Sequence, residues 1–374
     1  MSHSTAKFPR ETDTEFLQTL RKRIDEYFQS NNIDRFGNAE MVLKTIVMAS
    51  LYLVPFGIML SGVVTNPWVI FLLWVVMGVG MAGIGLSIMH DANHGAYSKN
   101  RQVNNYLSYF LNLVGGNRAT WRIQHNILHH SYTNIEGMDE DIDPIGGAVR
   151  FSPHQKHYKF HKLQQYYAWF LYGFLTLSWI TTKEFFQVFR FEKKGIASSQ
   201  GSFKKLITEL IIWKVVYYAY ILVLPMILMP ASPWLILLSF LSMHFVSGFI
   251  VSCIFQLAHV MPTSEYPLPN DLGVMENNWA IHQILTTANF SPSSKFFSWC
   301  IGGLNYQIEH HLFPNICHVH YKHISKIVKS TAKEFDLPYN SQPYFATAMV
   351  SHFKMLKELG NPANDTNSGL KFSM

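Results

Sequence analysis

The stretch TIVMASLYLVPFGIMLSGVVTNPWVIFLLWVVMGVGMAGIGLSIMH, from Thr45 to His90, contains no Asp, Glu, Lys or Arg. A bilayer core asks for about 20 consecutive apolar residues per helix, so this block holds two spans and a tight turn. A second charge-free block runs from Val215 to Ser264. It has the same capacity, and the rest of the 374-residue chain is normally charged. With 48% apolar and only 14% charged residues overall, charge is too scarce for a soluble surface of this size. The expected fold is therefore all-α, a four-span transmembrane helical bundle. The spans are expected near 42–64, 67–89, 206–230 and 233–257, with turns at Thr65-Asn66 and Ala231-Ser232.

Thirty Lys and Arg against 24 acids give a net charge of +6, which on a soluble protein would suggest nucleic acid. Here almost every cation falls on one side of the expected spans, so the positive-inside rule makes that side cytoplasmic, with both termini there. No nucleic-acid partner is expected. Lys44 and Lys214 lie at or within spans and must snorkel or face protein. Arg21, Lys22, Arg23, Asp25 and Glu26 argue against a cleavable signal peptide.

The chain divides into an amphipathic cytoplasmic segment over 1–40, a membrane domain over 41–330 and a cytoplasmic segment over 331–374 with a disordered-looking tail after Gly360. Phe16, Leu17, Leu20, Ile24, Tyr27 and Phe28 stand at helical spacing among charges, for a helix that lies on the membrane or caps the cytoplasmic part. The apolar runs 106–114 and 166–180 are too short to span and read as interfacial or re-entrant helices. Cys253, Cys300 and Cys317 form no CxxC pair and are expected to be buried thiols.

The chain has 18 histidines. His90 and His94 stand at i and i+4 directly after the second span, and His125, His129 and His130 repeat that spacing with one extra neighbour. Gln307, His310 and His311 form a third set, and His259 follows the fourth span. The topology returns all of them to one face as a cytoplasmic His-rich cap. Eight imidazoles exceed one four-coordinate zinc, so two ions, most economically a redox iron pair, are expected. His244 lies inside a span and reads as a satisfied core residue. His154, His157, His161, His318, His320, His323 and His352 read as solvated or capping residues, and His282 is undecided.

His90-Asp91-Ala92-Asn93-His94, His125-Asn126-Ile127-Leu128-His129-His130 and Gln307-Ile308-Glu309-His310-His311 resemble the three histidine boxes of integral-membrane fatty acid desaturases, over roughly residues 40–330. The Gln that opens the third box resembles the front-end branch, and within it the bacterial acyl-CoA or linoleoyl-CoA desaturase group. The resemblance implies a cis double bond introduced into an acyl-CoA or acyl-lipid. It implies a non-haem di-iron centre on His90, His94, His125, His129, His130, His259, His310 and His311, with Gln307 as a weak or water-bridged position, and O2 as co-substrate. It implies a bacterial inner membrane. The chain has no His-Pro-Gly-Gly haem motif of a fused cytochrome b5 domain. A separate donor of ferredoxin or cytochrome b5 type is therefore expected. Unactivated C–H bonds lie beyond any side-chain acid or base, which explains metal ligands in place of a Ser-His-Asp set.

Asp91, Asn93, Glu309 and the run Asp139, Glu140, Asp141, Asp143 are candidates to orient the ligands, the run standing equally as a solvated loop. Arg118, Arg122, Lys156, Lys159 and Lys162 either meet phosphates of CoA or a head group, or touch anionic lipid. Gly78, Gly80, Gly83 and Gly85 leave room for an acyl tunnel or for close helix packing. The rival functions are a di-iron hydroxylase or ketolase and, from another class, a metal transporter.

Overall fold

The computed structural model describes residues 6–9, 14–143 and 145–361. Most of the N-terminal dozen residues, and the tail expected after Gly360 from residue 362 onward, lie outside the described residues. The described residues are mostly helical, with one pair of two-residue parallel strands among them, Asn289–Phe290 and Ser341–Gln342. It divides into two compact units. One, the span unit, comprises Gly37–Ile123 and Trp169–Cys253; the other, the histidine unit, comprises Met1–Phe36, Gln124–Ala168 and Ile254–Met374.

Among the described residues four helices are long and apolar enough to cross a membrane: Ala39–Leu60, Pro67–His94, Phe203–Leu228 and Pro233–His259. The first ends four residues before the expected boundary because Gly62 takes a left-handed conformation, φ 75°, that stops the helix. The second opens on Asn66, whose side-chain oxygen accepts from Trp68 N (2.9 Å) and Val69 N (3.4 Å). The second and fourth helices run past their expected ends and carry His90, His94 and His259 on helical backbone. The runs 106–114 and 166–180 are short, broken helices.

Inside the span unit the small residues of the second helix serve packing. A Cβ on Gly78 would stand 2.6 Å from the Met243 carbonyl oxygen, and one on Gly80 would stand 2.7 Å from the Leu51–Tyr52 backbone. A Cβ on Gly83 would strike the Met48 thioether, whereas Gly85 faces open space. Close helix approach thus accounts for three of the four glycines. Val42, Ile46, Leu72, Ile212 and Leu238 remain exposed, as lipid-facing apolar residues of spans are. His244 bonds Tyr217 Oη (2.7 Å) and Thr176 Oγ1 (3.1 Å), so both its ring nitrogens are used. Lys214 faces protein: its Nζ donates to Glu184 Oε2 (2.5 Å), Gly115 O (2.6 Å) and Trp179 O (3.2 Å). Lys44 is buried as well.

In the histidine unit the helix Thr14–Ser30 buries Phe16, Leu20, Ile24 and Phe28 against Ile324, Val328 and Ala332 of the helix Tyr321–Glu334. Arg23 adds an ion pair with Glu334 (2.7 Å) and a bond to Thr331 Oγ1 (2.9 Å). The apolar face that a membrane surface would need is therefore used within the protein. The three cysteines are free, with Cys253 and Cys317 buried.

Candidate metal centre

The second box lies on a continuous helix over 118–132, and the turns from Arg122 to His129 are wound as a π-helix. An α-helix would stack i on i+4; the wider π turn, with i→i+5 bonds, changes the pairing. His125 Nε2 and His130 Nε2, five residues apart, come within 3.2 Å of each other. Two nitrogens sharing one ion at bond lengths of about 2.1 Å stand about 3.0–3.4 Å apart, so this spacing suits neighbouring ligands of a single metal. His310 joins this pair, its ring centroid 4.6 Å from that of His130 and stacked on His125 at 5.8 Å. Its Nδ1 lies 3.1 Å from the Tyr321 hydroxyl.

His129 belongs to a second group. One ring nitrogen each from His129, His259 and His311 lies within 4.8 Å of the other two, and all three side chains are buried. The other nitrogen of each ring is held by an acceptor. His129 Nδ1 donates to Asp139 (3.1 Å to each oxygen), His259 Nδ1 to the Thr286 carbonyl (3.3 Å) and His311 Nδ1 to Gln283 Oε1 (2.7 Å). A proton on Nδ1 leaves a lone pair on Nε2, the form in which imidazole binds a metal. Nε2 of His129 and Nε2 of His259 are buried with no hydrogen-bond partner among the described residues. Buried polar atoms are rarely left unpaired, and donors of this type in this number fit a transition-metal ion.

Gln307, in the helix Gln307–Leu312 beside His310 and His311, meets the same test. Its carboxamide is buried, and neither oxygen nor nitrogen has a hydrogen-bond partner among the described residues. In the span unit, His90 and His94 lie with ring centroids 4.8 Å apart, each 5.7 Å from the Trp121 indole. His282 turns elsewhere: its Nε2 donates to the Thr133 carbonyl (2.8 Å), and burial pushes its pKa down to about 4. Five of the histidines read as solvated or capping bond main-chain carbonyls: His154 donates to Tyr266 O, His157 to Gly360 O, His161 to Gly147 O, His320 to Phe36 O and His352 to Val260 O.

The acidic run is not a solvated loop at its centre. Asp139 is buried against His129, accepts from Asn134 N (2.9 Å) and Asp141 N (2.9 Å), and so holds the imidazole from a fixed position. Asp141 lies 3.5 Å from His129 Nδ1 and 3.8 Å from His125 Nδ1. Burial works against charge on His129, but these two carboxylates outweigh it and raise its pKa to about 9, so they favour positive charge at the ring, which a metal ion on Nε2 would supply in place of the second proton. Glu309 points to other partners, accepting from Asn289 (2.8 Å) and Tyr339 (2.9 Å), and burial raises its pKa to about 7. Arg118 and Arg122 are engaged by protein: Arg118 by Asn105 Oδ1 (2.7 Å) and the Tyr109 ring, Arg122 by Asn93 Oδ1 (2.8 Å). Asn93 is thereby a partner of Arg122.

Two contributors carry no signal in the sequence. Asn134, in a left-handed conformation at the end of the second-box helix (φ 60°), donates to the carbonyls of His259 and Glu265, both at 3.1 Å. Gln283 bonds His311, as above. Lone amides have no spacing to betray them.

We expect Asp139→Asn to lower metal affinity and activity by about 10–100-fold, the usual cost of removing a carboxylate behind a ligating imidazole. Iron per purified chain and product formation check it; unchanged values at both would remove Asp139 from the centre.

A sequence model for the family described as fatty acid desaturase matches residues 66–343. The chain belongs to the fatty acid desaturase family. An sn-1 linoleoyl-lipid 6-desaturase from Synechocystis sp. is 35% identical over 349 residues, 92% of this chain and 95% of that protein. An acyl-lipid (8-3)-desaturase from Physcomitrium patens is 36% identical over 368 residues, 96% of this chain and 74% of the relative. An sn-1 linoleoyl-lipid 6-desaturase from Arthrospira platensis is 31% identical over 363 residues, 97% of each chain. The desaturase is thus an oxidoreductase of lipid metabolism with four apolar helices of membrane-spanning length and histidine clusters able to hold metal. Neither a hydroxylase nor a metal transporter appears among these relatives.

Proposed function

We propose that this desaturase is a front-end enzyme that places a cis double bond between an existing double bond and the carboxyl end of an acyl chain carried on a lipid. The names of the relatives favour acyl-lipid over acyl-CoA as substrate, and Gln307 at the head of the third box agrees with the front-end branch. The observation that carries the reading is the set of three buried imidazoles, His129, His259 and His311, each with an acceptor on Nδ1, the tautomer that places the lone pair on Nε2.

Two non-haem irons are proposed, with His90, His94, His125, His129, His130, His259, His310 and His311 as ligands. His90 and His94 enter this set on their motif. Iron bound there would supply dioxygen activation and the oxidation of two neighbouring C–H bonds, with O2 as co-substrate. The protein's part is to hold ligands in one tautomer, to keep the carboxylates of Asp139 and Asp141 behind them, and to keep the Gln307 carboxamide free for an ion or its water. Two electrons come from a separate carrier of ferredoxin or cytochrome b5 type. The proposed setting is a bacterial inner membrane with the centre on the cytoplasmic side, as the distribution of Lys and Arg suggests.

The test is expression in a host without polyunsaturated lipids, fed linoleate, with gas chromatography and mass spectrometry of the lipid-bound acyl chains. A third double bond on the carboxyl side of the first is expected, together with about two irons per purified chain. A hydroxylated product, or a single tightly held zinc, would overturn the proposal.

A further inference from the structure

Of the segment Trp279-Ala280-Ile281-His282-Gln283, the histidine is the conspicuous residue, yet the amide next to it reaches the metal-binding imidazoles. Gln283 is fully buried. Its Nε2 donates to the His130 carbonyl (3.2 Å), and its Oε1 lies 2.7 Å from His311 Nδ1 and 2.9 Å from Thr133 Oγ1. The two ends of a carboxamide look alike in outline, but their surroundings decide the orientation. A main-chain carbonyl can only accept, so the end facing His130 must be the NH2 group. The oxygen then faces His311, and Nδ1 of His311 must be the protonated nitrogen. That in turn commits the lone pair to Nε2.

The helix Trp279–Leu285 makes this orientation firm. Trp279 Nε1 donates to the same His130 carbonyl (2.9 Å), and His282 Nε2 donates to Thr133 O (2.8 Å). Asn278 caps the helix start, accepting from Ala280 N (3.0 Å) and Ile281 N (3.1 Å). Three side chains from one short helix thus grip the last turn of the second box, and one of them also grips the third.

We propose that Gln283 is a positioning residue that sets the tautomer of His311 and ties the second box to the third. This rests on the metal-site reading above. Gln283→Leu removes both the acceptor and the donor at similar volume. Gln283→Glu keeps the acceptor for the His311 N–H, gives up the bond to His130 and adds a negative charge behind the imidazole.

The test is titration of Co2+ into the metal-stripped full-length protein in detergent micelles, read by cobalt absorption, with size-exclusion profiles to confirm folded, monodisperse protein. Gln283→Leu is expected to weaken the tighter cobalt site about 10–100-fold, as loss of the partner behind a ligating imidazole does, and Gln283→Glu to recover most of that loss. Equal cobalt affinity in wild type and Gln283→Leu overturns the proposal. So does an equal loss in the Leu and Glu variants when both are monodisperse. If Gln283→Leu does not fold, Gln283→Glu alone decides, since affinity within a few-fold of wild type supports the acceptor role and a loss of about 10–100-fold refutes it. Wild-type protein that binds no cobalt would instead refute the metal-site reading itself, a distinguishable result.

Discussion

Replacing His129 with alanine is expected to abolish desaturation and to empty one metal position, while the protein still inserts into the membrane. His129 sits where three Nε2-type donors converge, and Asp139 and Asp141 stand behind it. Loss of a partner behind a ligand usually costs about 10–100-fold, so loss of the ligand should exceed about 100-fold in activity. The residue lies outside the four apolar helices whose burial in lipid drives insertion. The measurement is product fatty acid and iron per chain at matched membrane protein levels. Near-normal product yield would withdraw His129 from the centre, and with it the grouping of His259 and His311.

The largest effect on stability is expected at Lys214, in the third apolar helix. Its ammonium and the Glu184 carboxylate are both buried in the span unit, and Glu184 Oε1 also accepts from the Asn117 backbone N–H (2.7 Å). Asn117 caps the start of the second-box helix, its side-chain oxygen accepting from Ala119 N (3.0 Å) and Thr120 N (3.1 Å). Lys214→Met leaves a buried carboxylate without its cation and should cost about 3–5 kcal/mol, the usual effect of breaking a buried pair. Thermal unfolding in detergent measures it. The double variant Lys214→Met with Glu184→Gln should recover most of the loss, because a neutral amide still accepts from Asn117 and leaves no charge behind. A single-variant cost below about 1 kcal/mol would show that the pair is relaxed by water or lipid head groups.

The number of long apolar helices, their approximate limits and the three histidine boxes were legible in the sequence. The reason is that membrane spans and box motifs are local signals. A charge-free block of sufficient length has one stable outcome in a bilayer, and ligands on one helix must repeat at its period. The family resemblance rested on the same local words.

Tertiary structure decided the rest. Identical spacing in the second box does not reveal a π-helix, since the wider turn is a choice of backbone hydrogen bonds; that turn is what pairs His125 with His130 and sends His129 to His259 and His311. The sequence left the acidic run open between orienting ligands and lining a loop, and only the position of Asp139 behind His129 separated the two. It left the second-span glycines open between tunnel and packing, until the nearness of Met243 and Leu51 backbone showed packing at Gly78 and Gly80. Gln283 and Asn134 had no pattern to find. Their roles come from hydrogen bonds to residues about 28 to 150 positions away, and no periodicity along a chain encodes which distant acceptor a buried amide will meet.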